Sequence, residues 1–416
     1  MKKSLLAVAA IGAFASAAQA QSSVTVYGIL DVGFSGTSAR IPTTSTQTAA
    51  GVTTTTPAYK VQNNQFGQST ESTSRLGFKG TEDLGGGMSA FFTAEMQLFP
   101  QEQNLSGNAS TGLFNRQTFV GLKKNGIGQF AVGTQYTPYF NALALTDPGQ
   151  TNNGIGSVIY PIGNAANAGI TSSALTIRSN NALTAQSDSF AGFRVAGMYS
   201  VNNTDRTQSA QYTAVTSNGG NTNINGWGIN ADYTWKKLVV AAAYQSFKNE
   251  TDNGASVGTA ASLNNLPQTP AVGANGTVTT NGTNITDNQT YAAATYDFGI
   301  LKGYINWGTR KATSNLNSNV YLKRSAQQIG VRSYITPTIE AWASLGNGNY
   351  AGFGAGEPTA RFTGYQLGSN YYLSKRTNLY GMFGSIQTSN VTSPNASGVS
   401  GSAGANMYAV GVRHTF

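Results

Sequence analysis

Hydrophobic and polar residues alternate with a period of two in segments of about ten, separated by turn chemistry, the pattern of β-strands with one apolar face. From Val24 to Phe34 the even positions carry Val24, Val26, Gly28, Leu30, Val32 and Phe34, whereas Thr25, Tyr27 and Asp31 lie on the odd face. From Met88 to Leu98, Met88, Ala90, Phe92, Ala94, Met96 and Leu98 alternate with Ser89, Phe91, Thr93, Glu95 and Gln97. From Leu301 to Arg310, Leu301, Gly303, Ile305 and Trp307 oppose Lys302, Tyr304, Asn306 and Arg310. A soluble β-sandwich would turn its polar face outward; an outer-membrane barrel turns the apolar face to lipid and the polar face to a wet lumen. Alternation fits either. The connections separate them.

Short connections fall at 81–86, 125–128, 187–189, 236–237, 298–300, 336–338 and 374–376. They alternate with long ones, rich in Thr, Asn, Gly and Ala, at 36–68, 100–112, 138–175, 202–224, 249–287, 311–322, 348–361 and 389–404. Short turns at one end and long loops at the other are the plan of an outer-membrane barrel. The expected fold is all-β: a 16-stranded antiparallel transmembrane β-barrel.

The ends and composition narrow the picture. Lys2 and Lys3, an apolar run from Leu5 to Phe14, and Ala18-Gln19-Ala20 have the layout of a secretory signal peptide, and the run is too short to span a bilayer as a helix. Residues 1–20 are therefore expected to be removed, leaving 21–416 as the barrel and lowering the formal charge from +9 to +7. With no cysteine, disulfides and thiolate metal sites are excluded. No later segment approaches 18 consecutive apolar residues, so a helical membrane protein is excluded as well. The positive balance is scattered rather than clustered and the chain carries an export signal, which argues against a nucleic-acid partner. Neither a cofactor nor a metal site is expected. The chain closes as a strand, with Tyr408, Val410, Val412, His414 and Phe416 on one face.

Several segments resemble the general porins of Gram-negative bacteria, in particular the trimeric, anion-preferring type of β-proteobacteria. They are VTVYGILD at 24–31, SRLGFKGTEDLGGG at 74–87, LFNRQTFVGL at 113–122, QYTPYFNAL at 135–143, IRSNNAL at 177–183 and the terminal VGVRHTF at 410–416. The aromatic final residue, strand-borne with Tyr408, is similar to the C-terminal assembly signal of bacterial outer-membrane proteins. The resemblance implies a homotrimer in the cell outer membrane, in contact with its lipid and lipopolysaccharide, passing small hydrophilic solutes. It also implies a third loop, about 138–175, folded into the lumen as the constriction. Thr134 stands where the family often has arginine, and 184–188 departs from the family pattern.

Such a channel does no chemistry; charge placed at its narrowest point sorts what passes. Alternation turns Arg75, Arg116 and Arg178 inward, and by resemblance they form the arginine wall of the constriction. Arginine suits the role because its guanidinium stays charged and presents several donors to a carboxylate or phosphate. Lys79 and Arg194 share the inward face and would extend the ladder. Glu95 is expected to anchor the arginines, and Asp147 to supply acid on the facing wall unless it is only the turn residue of Asp147-Pro148-Gly149. Tyr27 and Asp31 point inward as further lumen residues. The single histidine, His414, falls on the outward face, where it cannot serve a hydrolase as base; no enzymatic activity is expected. A substrate-specific channel would need an aromatic track, for which Tyr139, Phe140 and Tyr160 are candidates. A secreted adhesin would place function in the Thr/Asn-rich loops.

Overall fold

The computed structural model describes residues 23–47, 53–105, 113–160, 177–206, 220–256, 270–272, 278–315, 318–319, 321–352, 359–389, 391–392 and 397–416; the expected signal peptide lies outside the described residues. In chain order the strands are β1 (Ser23–Ile41), β2 (Thr43–Gln47), β3 (Thr53–Thr56), β4 (Tyr59–Gln68), β5 (Arg75–Gly85), β6 (Met88–Gln97), β7 (Asn115–Lys124) and β8 (Gly128–Tyr136). A helix, α1 (Pro138–Thr146), follows. Then come β9 (Arg178–Ser187), β10 (Phe193–Arg206), β11 (Gly220–Trp235), β12 (Leu238–Ser256), β13 (Pro270–Val272), β14 (Val278–Asp297), β15 (Lys302–Ser314) and β16 (Tyr321–Thr336). The chain ends with β17 (Ile339–Ala351), β18 (Thr359–Tyr372), β19 (Thr377–Thr388), β20 (Val391–Thr392), β21 (Ser397–Gly401) and β22 (Gly404–Thr415).

These form a closed antiparallel barrel of sixteen wall positions, with β4 and β5 as two halves of one position and β13 as a short extension on β14. The seam is β1 against β22, from Ile29↔Thr415 to Arg40↔Gly404. The last residue finishes it: the Gly28 amide donates to the Phe416 carbonyl, and the Phe416 amide to that of Gly28, both at 3.1 Å. Closure leaves no unpaired edge along this seam, which hydrocarbon requires.

The wall is inside-out relative to a soluble protein. Val24, Val120, Ile305 and Ile329 are each 60% exposed or more on the outer face. The inner face buries Gln245, Gln289, Asn306, Gln328 and Gln366. A soluble adhesin would not expose apolar positions on strand after strand in this way. The long-loop strands run further than the apolar alternation reaches: β12 extends to Ser256 and β14 begins at Val278. Backbone pairing needs no apolar face once the strands have left the bilayer. The loop segments β2, β3, β20 and β21 form a separate four-stranded sheet beside the seam.

The barrel is uneven. Strands β5 to β9 are nine to eleven residues long, while β10 to β19, apart from the three-residue β13, reach twelve to twenty. The packed core lies inside the lumen, between the loop after β8 and the inner face of the long wall. There Leu143, Ile155, Val158 and Ile159 meet Ala243, Tyr291, Trp342, Phe362 and Ile386.

Candidate functional site

The third loop enters the lumen as α1. Pro138 opens the helix, where its missing N–H costs nothing, and the Thr137 hydroxyl caps it by accepting from the Phe140 amide at 3.1 Å. The helix is fastened to the long wall at its far end: the Asn306 amide donates to the Thr146 carbonyl at 2.9 Å, and the Thr146 and Tyr291 hydroxyls are 2.7 Å apart. Beyond it the loop crosses β16 to β19 over glycines. A Cβ on Gly330 would stand 2.5 Å from Pro148 Cγ, one on Gly364 would stand 2.5 Å from the Gly156 carbonyl, and those on Gly346 and Gly384 would strike Val158 and Ile155. Four adjacent strands thus present a groove of missing side chains, and the loop lies in it.

Hydrogen bonds lock the loop there. Gln366 Nε2 donates to the carbonyls of Gly154 and Ile155 at 2.8 and 3.0 Å. Arg332 donates twice to the Pro148 carbonyl, at 3.1 and 2.9 Å, and Arg324 donates to that of Val158. Arg332 is paired with Glu340 at 2.7 Å, and Arg310 with Asp287 at 2.6 Å. Arg324 and Arg332, which clamp the loop, were not singled out by the sequence reading. Their inward parity on β16 was the available signal, but parity cannot tell a clamp from a pore-lining charge.

The far edge of the loop leaves a cavity of about 450 Å³ against the short wall. Arg75, Arg116 and Arg178 line one side, from β5, β7 and β9; Gln150, Thr151, Asn153 and Tyr160 line the other. The three arginines are brought together, but they are not equivalent. Arg116 is 6% exposed. Its Nε donates to Glu95 Oε1 at 2.7 Å and its Nη2 to the Tyr136 hydroxyl at 2.8 Å. Arg75 Nη1 approaches the same Glu95 oxygen at 3.9 Å, and the Tyr27 hydroxyl donates to Glu95 Oε2 at 3.1 Å. Arg178 donates to the Arg116 carbonyl at 3.4 Å and forms no ion pair among the described residues. Glu95 therefore neutralises mainly Arg116, leaving Arg75 and Arg178 the less neutralised of the three.

The other expected residues fall in varied surroundings. Asp31 is fully buried and accepts from the Ser72 amide at 2.6 Å and the Tyr380 hydroxyl at 2.8 Å. It pins the six residues 69–74 that bulge inward between β4 and β5. That bulge in turn holds the loop, because Asn153 Nδ2 donates to the Ser69 carbonyl at 2.6 Å and to the Thr73 hydroxyl at 3.0 Å. Lys79 lies over the Tyr27 ring, 5.4 Å from its centroid, and Arg194 pairs with Asp232 at 3.1 Å. His414 faces outward beside Thr377.

Asp147 requires a correction. It does not face the opening: it is 4% exposed and accepts from the Thr151 amide at 2.7 Å and from Gln328 at 3.3 Å. Burial pushes its carboxyl above the usual carboxylate range, opposed by those hydrogen bonds. It is the turn residue that ends α1. Among the residues lining the cavity the one acid is Glu71, held by Arg413 at 3.6 Å. Nor do the aromatic candidates form a track. Phe140 and Tyr160 line the cavity, their ring centroids 5.9 Å apart, while Tyr139 turns to Tyr291 on the wall.

Comparison with known proteins places this geometry. The family model of the Gram-negative porins matches residues 7–391. An outer membrane porin protein of Bordetella pertussis is 31% identical over 219 residues, 50% of this chain and 50% of its own. Outer membrane porin protein 32 of Delftia acidovorans is 35% identical over 201 residues, 48% and 49% of the two chains. The chain thus spans about half the length of the curated relatives it matches. In fold it is similar to the anion-selective porin from Comamonas acidovorans, with a TM-score of 0.63 and 23% identity over 95% of this chain and 100% of that one.

Proposed function

From the premise that this chain belongs to the Gram-negative porin family, we propose that it forms a water-filled channel in the outer membrane. Through it small hydrophilic solutes and ions diffuse passively, anions in preference to cations. The observation that carries the preference is the constriction: Arg75, Arg116 and Arg178 on one wall, with Glu95 as their acid and only amides and hydroxyls on the loop edge opposite. A unit charge a few ångströms from such a wall gains or loses about 1 kcal/mol even in water-like surroundings, and several times that where the dielectric is lower. The overlapping fields of neighbouring arginines lie within a Debye length, about 10 Å at 0.1 M salt, so screening does not erase them.

The channel acts by selection alone and carries no catalytic activity. Arg75 and Arg178 meet the solute. Arg116, Glu95 and Tyr27 hold the wall in shape, and Lys79 supplies positive charge nearer the short-turn end. The working unit is a homotrimer, with lipid or lipopolysaccharide against the remaining outer face. Its final strand, with Tyr408 and Phe416, serves as the assembly signal; the paired terminal residue supports that role.

Liposome permeation tests the reading. Vesicles bearing the refolded protein should pass small sugars and pass small organic anions faster than cations of equal size. Vesicles that remain impermeable to all of them would refute the channel; faster cation flux would refute the preference.

A further inference from the structure

Between the constriction and the short-turn end the lumen holds a second cavity, of about 350 Å³, on the inner face of β1 and β5 to β8. Lys79 lines it, four residues along β5 from Arg75, a strand distance of about 13 Å. Lys79 is exposed, lies over the Tyr27 ring and forms no ion pair among the described residues. A second cation, Lys123 of β7, lines the other end and approaches Asp188 no closer than 3.9 Å. The nearby acids serve the tight turns: Asp188 accepts from the Gly126 amide at 2.7 Å, and Asp83 from that of Gly85 at 2.8 Å.

An aromatic ring lies between the two lysines, where alternation calls for a polar residue. On the inner face of β6, Phe91 is the one apolar side chain among Ser89, Thr93, Glu95 and Gln97. It stands opposite Thr81 on β5 and Gly121 on β7, and diagonally from Lys79, whose ladder partner is Thr93. Diagonal neighbours on a sheet lie about 7–8 Å apart, within reach of long side chains. A Cβ on Gly121 would stand 2.5 Å from Phe91 Cζ, so the ring leans onto bare backbone. Phe119, turned inward by the register shift beside Arg116, meets it edge to face, the centroids 6.2 Å apart. Both rings are only half-buried. Apolar surface left to water in this way is favourably covered by another apolar surface.

We propose that this cavity is a second station of the channel, one that takes small carboxylates carrying a flat apolar ring, with the carboxylate at Lys79 and the ring on Phe91. Thr25 and Thr93, the ladder partners of Lys79, bring hydroxyl donors to the same place. An exposed ion pair holds little by itself, and so does a single aromatic contact. A solute that makes both is retained over one that makes either. Retention stays weak, as conduction requires: a solute must bind well enough to enter and poorly enough to leave. The inference deepens the channel reading above and rests on it. The constriction sorts by charge, and this station sorts the admitted anions by the body that carries the charge.

The test uses the full refolded chain in planar bilayers, with chloride current recorded while benzoate, acetate or benzylammonium is added. Current noise gives the apparent affinity of each. Wild type should bind benzoate at least about twofold more tightly than acetate, the least that an aromatic contact is worth. Benzylammonium should bind more weakly than either acid. Phe91→Thr should bring benzoate down to the level of acetate, and Lys79→Gln should weaken both acids. A benzoate affinity no greater than that of acetate in wild type, or one unchanged in either variant, would overturn the assignment. Benzylammonium bound as tightly as benzoate would do so too, since the ring alone would then be recognised. Conductance in KCl is read from the same traces. A pore that conducts without distinguishing benzoate from acetate overturns this inference alone; a chain that forms no conducting pore overturns the reading beneath it.

Discussion

The glycine groove beneath the third loop makes a quantitative demand. In Gly364→Ala the new methyl stands 2.5 Å from the Gly156 carbonyl oxygen and 2.9 Å from Val158 Cγ1, whereas ordinary contact begins at 3.4 Å, so something must recede by about 1 Å. The wall is poorly placed to yield, because Gly364 lies in unbroken ladders with Gly346 on β17 and Ile386 on β19. Overpacking in a fixed site costs about 1–3 kcal/mol. Moving the loop weakens the two bonds from Gln366 to the Gly154 and Ile155 carbonyls, each worth about 0.5–1.5 kcal/mol net. The two costs are comparable, and the loop is the part with open space on its other side. It should shift toward the arginine wall, carrying Gln150, Thr151 and Asn153 with it and narrowing the opening. Single-channel conductance in planar bilayers measures this. Gly364→Ala should conduct less than wild type while keeping its anion preference. Gly381→Ala, where an added Cβ meets nothing within 4 Å, should match wild type. Unchanged conductance in Gly364→Ala at normal assembly yield would refute the reasoning. Increased conductance would also refute it, since the loop would then have been released rather than displaced.

Deleting Phe416 removes both backbone bonds that finish the seam at Gly28; heat-modifiable barrel in the outer-membrane fraction should fall sharply, and wild-type amounts would contradict this. Glu95→Gln removes the carboxylate that pairs with Arg116 at 2.7 Å and attracts Arg75 at 3.9 Å. Anion preference should rise as the constriction gains net positive charge, and detergent-resistant stability should drop by several kcal/mol, about what breaking a buried pair costs. A lower anion preference would show that Glu95 does not offset the arginines.

Much of this architecture was legible in the sequence because a barrel wall must alternate. Lipid outside and water inside act on every second residue, so β1, β6 and β15 announce themselves, and tight turns such as Lys236-Lys237 fall where the alternation breaks. The same logic turned Arg75, Arg116, Arg178 and Glu95 inward. Alternation could not rank them, since the burial of Arg116 depends on Tyr136 and Glu95 meeting it from neighbouring strands. Strand ends beyond the bilayer were illegible for the complementary reason: Thr- and Asn-rich segments of β12 and β14 pair through backbone alone. Asp147-Pro148-Gly149 reads equally as a turn or as a pore acid until Gln328, far away in sequence, is seen to cover it. The glycines at 330, 346, 364 and 384 look like ordinary strand glycines; only the loop laid across them shows why a side chain is excluded. The helix α1 was likewise unforeseen, although Thr137-Pro138 is a fair start signal.

The claim that arginines at the constriction set ion preference is tested most directly by the reversal potential across a planar bilayer under a KCl gradient. Wild type should give the sign of an anion-preferring pore. Arg75→Gln/Arg178→Gln removes the two charges least neutralised by Glu95 and should move the potential strongly toward zero, since a loss of about 1.4 kcal/mol in ion partitioning is tenfold. Lys60→Gln, on the exposed face of β4, should leave the potential where it was. A cation-preferring wild type, or equal shifts in the two variants, would contradict the account.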